Sequence, residues 1–132
     1  MSFNITTRRA VLQKYYGHCA YCGKPLDYTD MQVDHLIPQC DSFIFEGGEY
    51  NGIQDINDFA NLMPSCRRCN HYKRAHTIET FRRYIEEIPF KLRNDYIYKV
   101  GLDYGMIEEH EHHVKFYFEK FEEERDDSPS QT

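Results

Sequence analysis

The sequence predicts a small α+β protein, and three observations lead to this prediction. Two Cys-x-x-Cys pairs, Cys19/Cys22 and Cys66/Cys69, lie far apart in the chain. A short run, "MQVDH" at residues 31–35, is typical of a strand. In the second half of the chain, apolar residues recur at helical spacing. With 132 residues, the chain is long enough for one domain with a modest core.

The N-terminal region predicts a short helix followed by a tight turn. Thr6 or Thr7 can cap the helix, because a hydroxyl oxygen can accept a hydrogen bond from a backbone N–H of the first turn. We expect the helix to run through Tyr16 and to stop at Gly17, since glycine favours the conformation that ends helices. The turn "HCAYCGKPLD" follows at residues 18–27 and contains the first cysteine pair.

The middle of the chain predicts a strand, a long loop and a second cysteine turn. The strand is residues 31–35, and the loop is the glycine-rich and polar segment 39–60. A loop of that length in a compact domain is uncommon and often functional, so we expect it to influence specificity. The run "NLMPSC" at residues 61–66 then leads into "CRRCNHYK", which reads as a turn that opens a helix.

The C-terminal half predicts a helical extension. Thr77 is the expected N-cap of a helix with apolar residues at helical spacing, namely Ile78, Phe81, Ile85 and Ile88. Pro89 ends this helix or starts the next one, which runs to Gly101. The alternating run at residues 114–121 predicts a late strand. The acidic segment 122–132 has little to bury and is expected to be a disordered tail.

These elements predict a single domain over residues 1–121. Its core is expected at about residues 15–75, and its helical extension at residues 77–121. No secretory hydrophobic segment follows the start of the sequence, and no apolar run approaches the length of a membrane span. We therefore expect a soluble cytoplasmic protein. Its five cysteines are then not expected to form a disulfide framework.

Charge is distributed unevenly along the chain, although the net charge is −6. Residues 66–83 contain six basic residues and one acidic residue, whereas residues 101–127 contain ten acidic and three basic residues. A local basic patch can bind nucleic acid in a chain that is acidic overall, although many such patches are solvated helix faces. The acidic C-terminal region is a candidate surface for a basic protein partner.

The two cysteine pairs predict a zinc site on Cys19, Cys22, Cys66 and Cys69. Tetrahedral Zn²⁺ takes four thiolates, and two Cys-x-x-Cys turns supply them with little strain. A single pair could be accidental or redox-active, but two pairs in polar turns favour a structural metal. Cys40 is left over, as a free thiol or as a reserve ligand.

A closed zinc site explains folding and leaves no position for a substrate. It would, however, hold the first cysteine turn against the second. The strand that ends in Asp34 and His35 would then lie beside the helix that starts near Cys69. The polar residues gathered in this way are Asp34, His35, Asn61, Asn70, His71 and Lys73.

This arrangement resembles the HNH endonucleases, also called ββα-metal or His-Me finger nucleases. The resemblance rests on "CAYC", "VDHLIP" and "NLMPSCRRCNHYK" in this order, and it covers about residues 15–75. Together the motifs are specific, although none of them is specific alone. The resemblance implies a ββα-metal core and metal-dependent hydrolysis of DNA, with 5′-phosphate and 3′-hydroxyl products.

The resemblance also implies the roles of individual residues. His35 would be the general base that activates water, and Asp34 would bind the catalytic cation. Asn61 would hold the loop and strand in register and orient the base. Asn70 stands where many family members have histidine and would be the second metal ligand. His71 is adjacent and competes for that role.

The residue types are suited to this chemistry. Histidine is largely neutral near pH 7 and can accept a proton. A carboxylate and an amide oxygen suit Mg²⁺ or Mn²⁺ better than zinc. Phosphodiester hydrolysis also requires neutralisation of negative charge on the phosphate. The basic residues expected to contact DNA phosphates are Arg67, Arg68, Lys73 and Arg74.

Two other functions compete with a nuclease. A zinc-stabilised DNA-binding module would keep the cysteines and the basic helix, but it would not need Asp34 and His35. A protein-interaction domain would instead use the acidic C-terminal region. Salt-dependent retention on DNA would separate this second alternative from the other two functions.

Overall fold

The structure is a computed structural model that describes residues 3–38 and 55–127. Two strands and six helices make up the regular structure of these residues, together with a 3-10 turn at Phe59–Asn61 that leads into the second strand. In chain order the elements are α1 (Ile5–Gln13), β1 (Gln32–His35), β2 (Leu62–Ser65), α2 (Arg67–Lys73), α3 (Ile78–Glu86), α4 (Ile88–Leu92), α5 (Tyr96–Asp103) and α6 (Tyr117–Asp127). Cys40 and most of the predicted loop 39–60 lie outside the described residues.

The two strands form an antiparallel pair that carries the sequence-predicted site. Asp34 lies opposite Met63, and His35 lies opposite Leu62. Helix α1 packs against β2, whereas α2 packs against β1. The apolar core between these elements consists of Val11, Leu12, Met31 and Leu62. The predicted α+β class with a ββα core is therefore confirmed.

Helix α1 begins and ends earlier than its sequence predicts. Asn4 is the N-cap, and its side-chain oxygen accepts a hydrogen bond from the Thr7 N–H at 2.8 Å. Asparagine outranks threonine at this position, so the predicted cap at Thr6 or Thr7 is wrong. The helix ends at Gln13, and Tyr16 and Gly17 both adopt positive φ in the turn that follows.

The first cysteine turn is closed by its own backbone and packed against the C-terminal segment. The Cys19 N–H donates to Lys24 O at 2.9 Å, and the Gly23 N–H donates to Cys19 O at 3.0 Å. Gly23 has a φ of 83°, and a Cβ atom there would lie 2.8 Å from the Tyr117 ring. The turn therefore requires glycine both for its backbone conformation and for its contact with Tyr117.

The predicted strand at residues 114–121 is wrong. Residues 111–116 have no regular structure, and α6 starts at Tyr117. In the first turn of α6, the N–H groups of Tyr117 and Phe118 donate to the carbonyls of Tyr21 and Ala20. These hydrogen bonds fix the start of the helix. The alternation marks buried residues correctly, since Phe116 and Phe118 are both buried. The helix continues to Asp127, whereas the sequence predicts a disordered tail from residue 122.

The chain divides into two compact units, and the prediction of a single domain over residues 1–121 stays a prediction. One unit comprises residues 1–78 and 115–132, and the other comprises residues 79–114. Within the second unit, the Arg82 guanidinium binds the Glu79 carboxylate and Val114 O. No helix in the described part of the chain is long and apolar enough to cross a membrane.

Candidate metal centre and active site

The four cysteines of the two Cys-x-x-Cys turns come together in one cluster. Their sulfur atoms all lie within 4.8 Å of one another, and Cys22 Sγ is 3.9 Å from Cys66 Sγ. Four sulfurs at about 2.3 Å from a tetrahedral Zn²⁺ would be roughly 3.8 Å apart. The donor type, number and spacing fit zinc, and this cluster can bind a metal such as zinc.

Backbone N–H groups already point at the cysteine sulfurs. The Cys66 N–H donates to Cys19 Sγ and the Cys69 N–H donates to Cys66 Sγ, each at 3.3 Å. Cys66 is also the N-cap of α2, so the second turn and the helix start form one structure. Such hydrogen bonds stabilise negative charge on sulfur, which is the form that binds metal.

Contacts within the cluster shift the pKa values of its cysteines in opposite directions. A hydrogen bond from Cys69 lowers the pKa of Cys19 to about 4, and the same contact raises the pKa of Cys69. Burial is the main cause that raises the pKa of Cys22. Further deprotonation would place like charges together, and a bound divalent cation would offset that repulsion.

Asp34 is buried on β1, and both of its contacts are made to one carboxylate oxygen. Tyr21 donates its hydroxyl to Oδ2 at 2.5 Å, and the Lys73 ammonium lies 3.1 Å from the same atom. Oδ1 makes no hydrogen bond within the described residues. The Asp34 side chain retains 10% exposure to solvent. Oδ1 is therefore the oxygen that can face a cation.

Tyr21 stays protonated in this environment and acts as a donor. Burial is the largest cause that raises its pKa well above the ordinary value, followed by the charge of Asp34. The sequence analysis missed this residue, although it lies between two predicted zinc ligands. A tyrosine inside a cysteine turn could have indicated an inward-facing side chain.

Lys73 does not lie on the predicted DNA-binding surface. Its residue exposure is 0%, and its ammonium binds both the Asp34 carboxylate and the His35 carbonyl, the latter at 2.9 Å. These two acceptors replace the hydration that the ammonium loses on burial. The predicted phosphate contact is therefore wrong for this residue, which instead connects α2 to β1.

His35 ends β1, and one of its ring nitrogens is tethered. Nε2 lies 2.9 Å from the side-chain oxygen of Asn57. A hydrogen bond donated by Nε2 to that oxygen leaves on Nδ1 the lone pair that a general base needs. His35 is half-buried, so its side chain is still partly accessible to solvent. Asn57 is a second residue that the sequence analysis missed.

Asn61 is fully buried and uses its amide to hold the backbone. Its Oδ1 accepts from the Ile37 N–H at 2.8 Å, and its Nδ2 donates to Ile37 O and Ile56 O. The residue thus ties the segment after β1 to the segment before β2. This geometry agrees with the prediction that Asn61 holds the loop and the strand in register. The Asn61 amide thus positions the backbone around the site.

Lys14, the C-cap of α1, binds the backbone of the segment that leads into β2. Its ammonium donates to Phe59 O at 2.8 Å, to Ala60 O at 3.3 Å and to Leu62 O at 2.7 Å. Burial lowers the pKa of this lysine to about 8. The sequence offered no signal for the contact, because it joins residues more than 40 positions apart.

Helix α2 separates the remaining predicted residues between two faces. Asn70 and Lys73 are three residues apart and share a face, and the Lys73 side chain shows that this face meets β1. Arg67, Arg68 and His71 share the other face. The structure thus favours Asn70 over His71 as the residue near Asp34.

The outer face of α2 lines an open cleft of about 620 Å³. Its lining includes three basic residues, one histidine and one carboxylate, and the residues are Lys24, Pro25, Leu26, Asp30, Cys66, Arg67, Arg68 and His71. Arg74 lies just beyond, as the C-cap of α2 with a φ of 53°. Arg67, Arg68 and Arg74 are all exposed, as expected for DNA contacts.

The first unit thus combines a ββα core with an Asp–His pair and a four-cysteine cluster. Residues 19–76 match the family model described as HNH endonuclease. They form an HNH endonuclease domain, in agreement with the sequence resemblance.

Two known proteins are similar to parts of this chain. A CRISPR-associated endonuclease Cas9 from Corynebacterium diphtheriae is 31% identical over 62 residues, which make up 47% of this chain and 5% of that protein. The crystal structure of the Type II-C Cas9 enzyme from Actinomyces naeslundii is 27% identical, with a TM-score of 0.44. That match covers 58% of this chain and 8% of the other, so the chain spans a small part of either protein.

Proposed function

We propose that this chain is a metal-dependent DNA endonuclease in which His35 is the general base. The HNH endonuclease domain supports a nuclease function in general. The observation that carries the finer proposal is the adjacent pair on β1. Asp34 has one carboxylate oxygen fixed and the other available, and His35 has one nitrogen tethered and the other available.

His35 takes a proton from the attacking water through Nδ1. The water oxygen then bonds to phosphorus while the bond from phosphorus to the 3′ oxygen breaks. The leaving 3′ oxygen takes a proton from solvent, which gives 5′-phosphate and 3′-hydroxyl ends. The tether from Asn57 holds the imidazole in the tautomer that this step requires. Asn61 holds the segment after β1 and the segment before β2 in place through Ile37 and Ile56.

Asp34 and Asn70 would hold the catalytic cation, for which Mg²⁺ or Mn²⁺ fits the oxygen donors best. When bound, this cation supplies positive charge that stabilises the phosphate in the transition state. The four cysteines would hold Zn²⁺ as a structural ion. The two metals therefore have separate ligand sets, one of oxygen donors and one of sulfur donors.

DNA is the proposed substrate, and the cleft beside α2 supports it. The side chains of Lys24, Arg67, Arg68 and His71 make no hydrogen bond or ion pair with any described residue, so their donors are available to an external anion. The Arg93 guanidinium, by contrast, is paired with the Glu109 carboxylate at 2.7 Å. Backbone phosphates are the anions that an array of unpaired cations would bind.

Plasmid nicking by the purified chain tests this proposal. Supercoiled DNA is incubated with Mg²⁺, with Mn²⁺, without divalent cation and with chelator, and zinc content is measured before and after. We expect relaxed or linear DNA only with Mg²⁺ or Mn²⁺. Binding of DNA without cleavage under every condition, by a zinc-loaded and folded protein, would instead support the DNA-binding module.

A further inference from the structure

Tyr21 lies at the boundary between the cysteine cluster and the proposed active site. It stands between Cys19 and Cys22, so the backbone on both sides belongs to the first cysteine turn. Its side chain is buried in the core, where the residue is 3% exposed, and its hydroxyl contacts Asp34. One residue thus belongs to the zinc turn by its backbone and to the Asp34 environment by its hydroxyl.

The ring of Tyr21 is held by its neighbours. Phe116 and Phe118 pack against it edge-on, with centroid distances of 5.7 Å and 6.2 Å. The Tyr21 carbonyl also accepts a hydrogen bond from the Tyr117 N–H at 3.0 Å. Backbone and ring are both fixed, so the position of the hydroxyl is determined before any ligand binds.

The hydroxyl and the Lys73 ammonium converge on the same oxygen of Asp34. Two donors on Oδ2, at 2.5 Å and 3.1 Å, fix the rotation of the carboxylate as well as its place. Hydrogen bonds to an ionised acceptor are stronger than neutral ones, particularly in a buried site. The remaining oxygen, Oδ1, is then presented in one orientation.

We propose that Tyr21 is a positioning residue that aims Asp34 Oδ1 at the catalytic cation and thereby couples the zinc turn to the active site. This inference rests on the proposed function, since it requires Asp34 to be a metal ligand. It gives the zinc ion a role in chemistry although zinc itself is remote from the substrate. The proposed coupling uses the Tyr21 side chain and its hydrogen bond to Asp34.

Tyr15 provides a matched control in the same unit. It is also buried, with 5% exposure, and its ring packs edge-on against Phe121 at 5.2 Å. Its hydroxyl approaches Met63 Sδ at 3.9 Å and makes no contact with Asp34. We expect removal of either hydroxyl to leave the ring packing in place, and only removal of the Tyr21 hydroxyl to affect the Asp34 carboxylate.

The experiment compares Tyr21→Phe and Tyr15→Phe with the parent, each purified with zinc. Mn²⁺ binding is measured by electron paramagnetic resonance of the free ion, alongside thermal melting and zinc content. Cleavage of plasmid DNA is measured as a function of Mg²⁺ concentration. Loss of an outer-shell partner typically costs about 10- to 100-fold in metal affinity or activity. We expect Tyr21→Phe to weaken Mn²⁺ binding and to raise the Mg²⁺ requirement by about 10-fold or more. Tyr15→Phe should match the parent.

The outcomes separate this inference from the proposed function. Parent-like Mn²⁺ binding and Mg²⁺ dependence of Tyr21→Phe would overturn the inference and leave the nuclease proposal intact. Loss of zinc or of cooperative melting in Tyr21→Phe would also overturn it, because the role would then be structural. A parent protein that neither binds Mn²⁺ nor cleaves DNA would contradict the proposed function itself, and the inference with it.

Discussion

The two faces of helix α2 carry basic residues with opposite environments. On the inner face, Lys73 is fully buried and its ammonium contacts Asp34 and the carbonyl of His35. On the outer face, Arg67 and Arg68 are exposed and make no ion pair within the described residues. The inner cation organises the site, whereas the outer cations remain available to a substrate.

This difference shows that a basic cluster in a sequence does not define one function. Residues 66–83 carry a local excess of positive charge, and the sequence suggests one DNA-binding patch. Helix α2, which is seven residues long, places the basic residues of that patch on two different faces. This is because only residues three or four positions apart share a face of a helix. A basic side chain whose hydration is replaced by protein acceptors, such as Lys73, contributes to the fold and to the geometry of the site. A basic side chain that stays in water, such as Arg67, is available to bind an external anion.

Removal of a zinc ligand should affect both faces at once and have the largest effect. Cys66 is both a cluster member and the N-cap of α2, so Cys66→Ser should release zinc and unfold the core. Structural zinc sites contribute apparent binding free energies of about 10–16 kcal/mol, which are coupled to folding. Elemental analysis and circular dichroism would measure the two changes.

The fifth cysteine provides the control for this prediction. Cys40→Ser should keep one zinc per chain and a normal melting transition, since the other four cysteines form the cluster. A Cys66→Ser protein that lacks zinc and yet melts like the parent would contradict the proposed role of zinc in folding.

Adjacent residues on the two faces provide the next test. Asn70 shares the inner face with Lys73, whereas His71 lines the outer cleft. Asn70→Ala should raise the Mg²⁺ concentration needed for cleavage by about 10-fold or more, as loss of a metal contact does. His71→Ala should leave that concentration unchanged. Mg²⁺ titrations of plasmid cleavage would distinguish the two, and the reverse pattern would make His71 the ligand.

Neutralising the outer face should have a smaller effect, confined to DNA binding. Arg67→Ala combined with Arg68→Ala should weaken binding to many DNA sequences alike. The log–log dependence of affinity on salt should become less steep by about two. Fluorescence anisotropy without added divalent cation would measure this, and zinc content and melting should stay unchanged.

A charge-matched control excludes a general effect of net charge. Lys99 and Lys120 are exposed and their side chains make no contact with described residues, so Lys99→Ala combined with Lys120→Ala removes the same two charges. This double variant should keep the parental salt dependence. Equal losses in both double variants would mean that the cleft has no special part in binding.

The sequence predicted the chemistry of the site better than the contacts that position it. The cysteine spacing and the order of Asp34, His35, Asn61 and Asn70 are local patterns, and they identified the cluster and the ββα core. Tyr21, Asn57 and Lys14 were missed because their roles depend on partners distant in the chain. Lys73 was misassigned for the same reason, since its type predicts solvent exposure.

The C-terminal error has a different physical cause. Alternating apolar residues predicted a strand at residues 114–121, but Phe116 and Phe118 are buried against Tyr21 at the start of a helix. A short alternation is compatible with both structures, and tertiary packing decides between them. The apolar alternation therefore coincides with buried side chains at Phe116 and Phe118, although the predicted strand is wrong.

The central claim is that His35 is the general base of a nuclease. His35→Ala removes the base but neither the zinc ligands nor the cation ligands, so zinc content and melting should remain nearly parental. A positioned general base typically contributes about 10²- to 10⁴-fold, and we expect plasmid cleavage to slow by a factor in this range. The assay compares folded, zinc-loaded parent and variant at saturating Mg²⁺. Cleavage at the parental rate by the variant would contradict the mechanism.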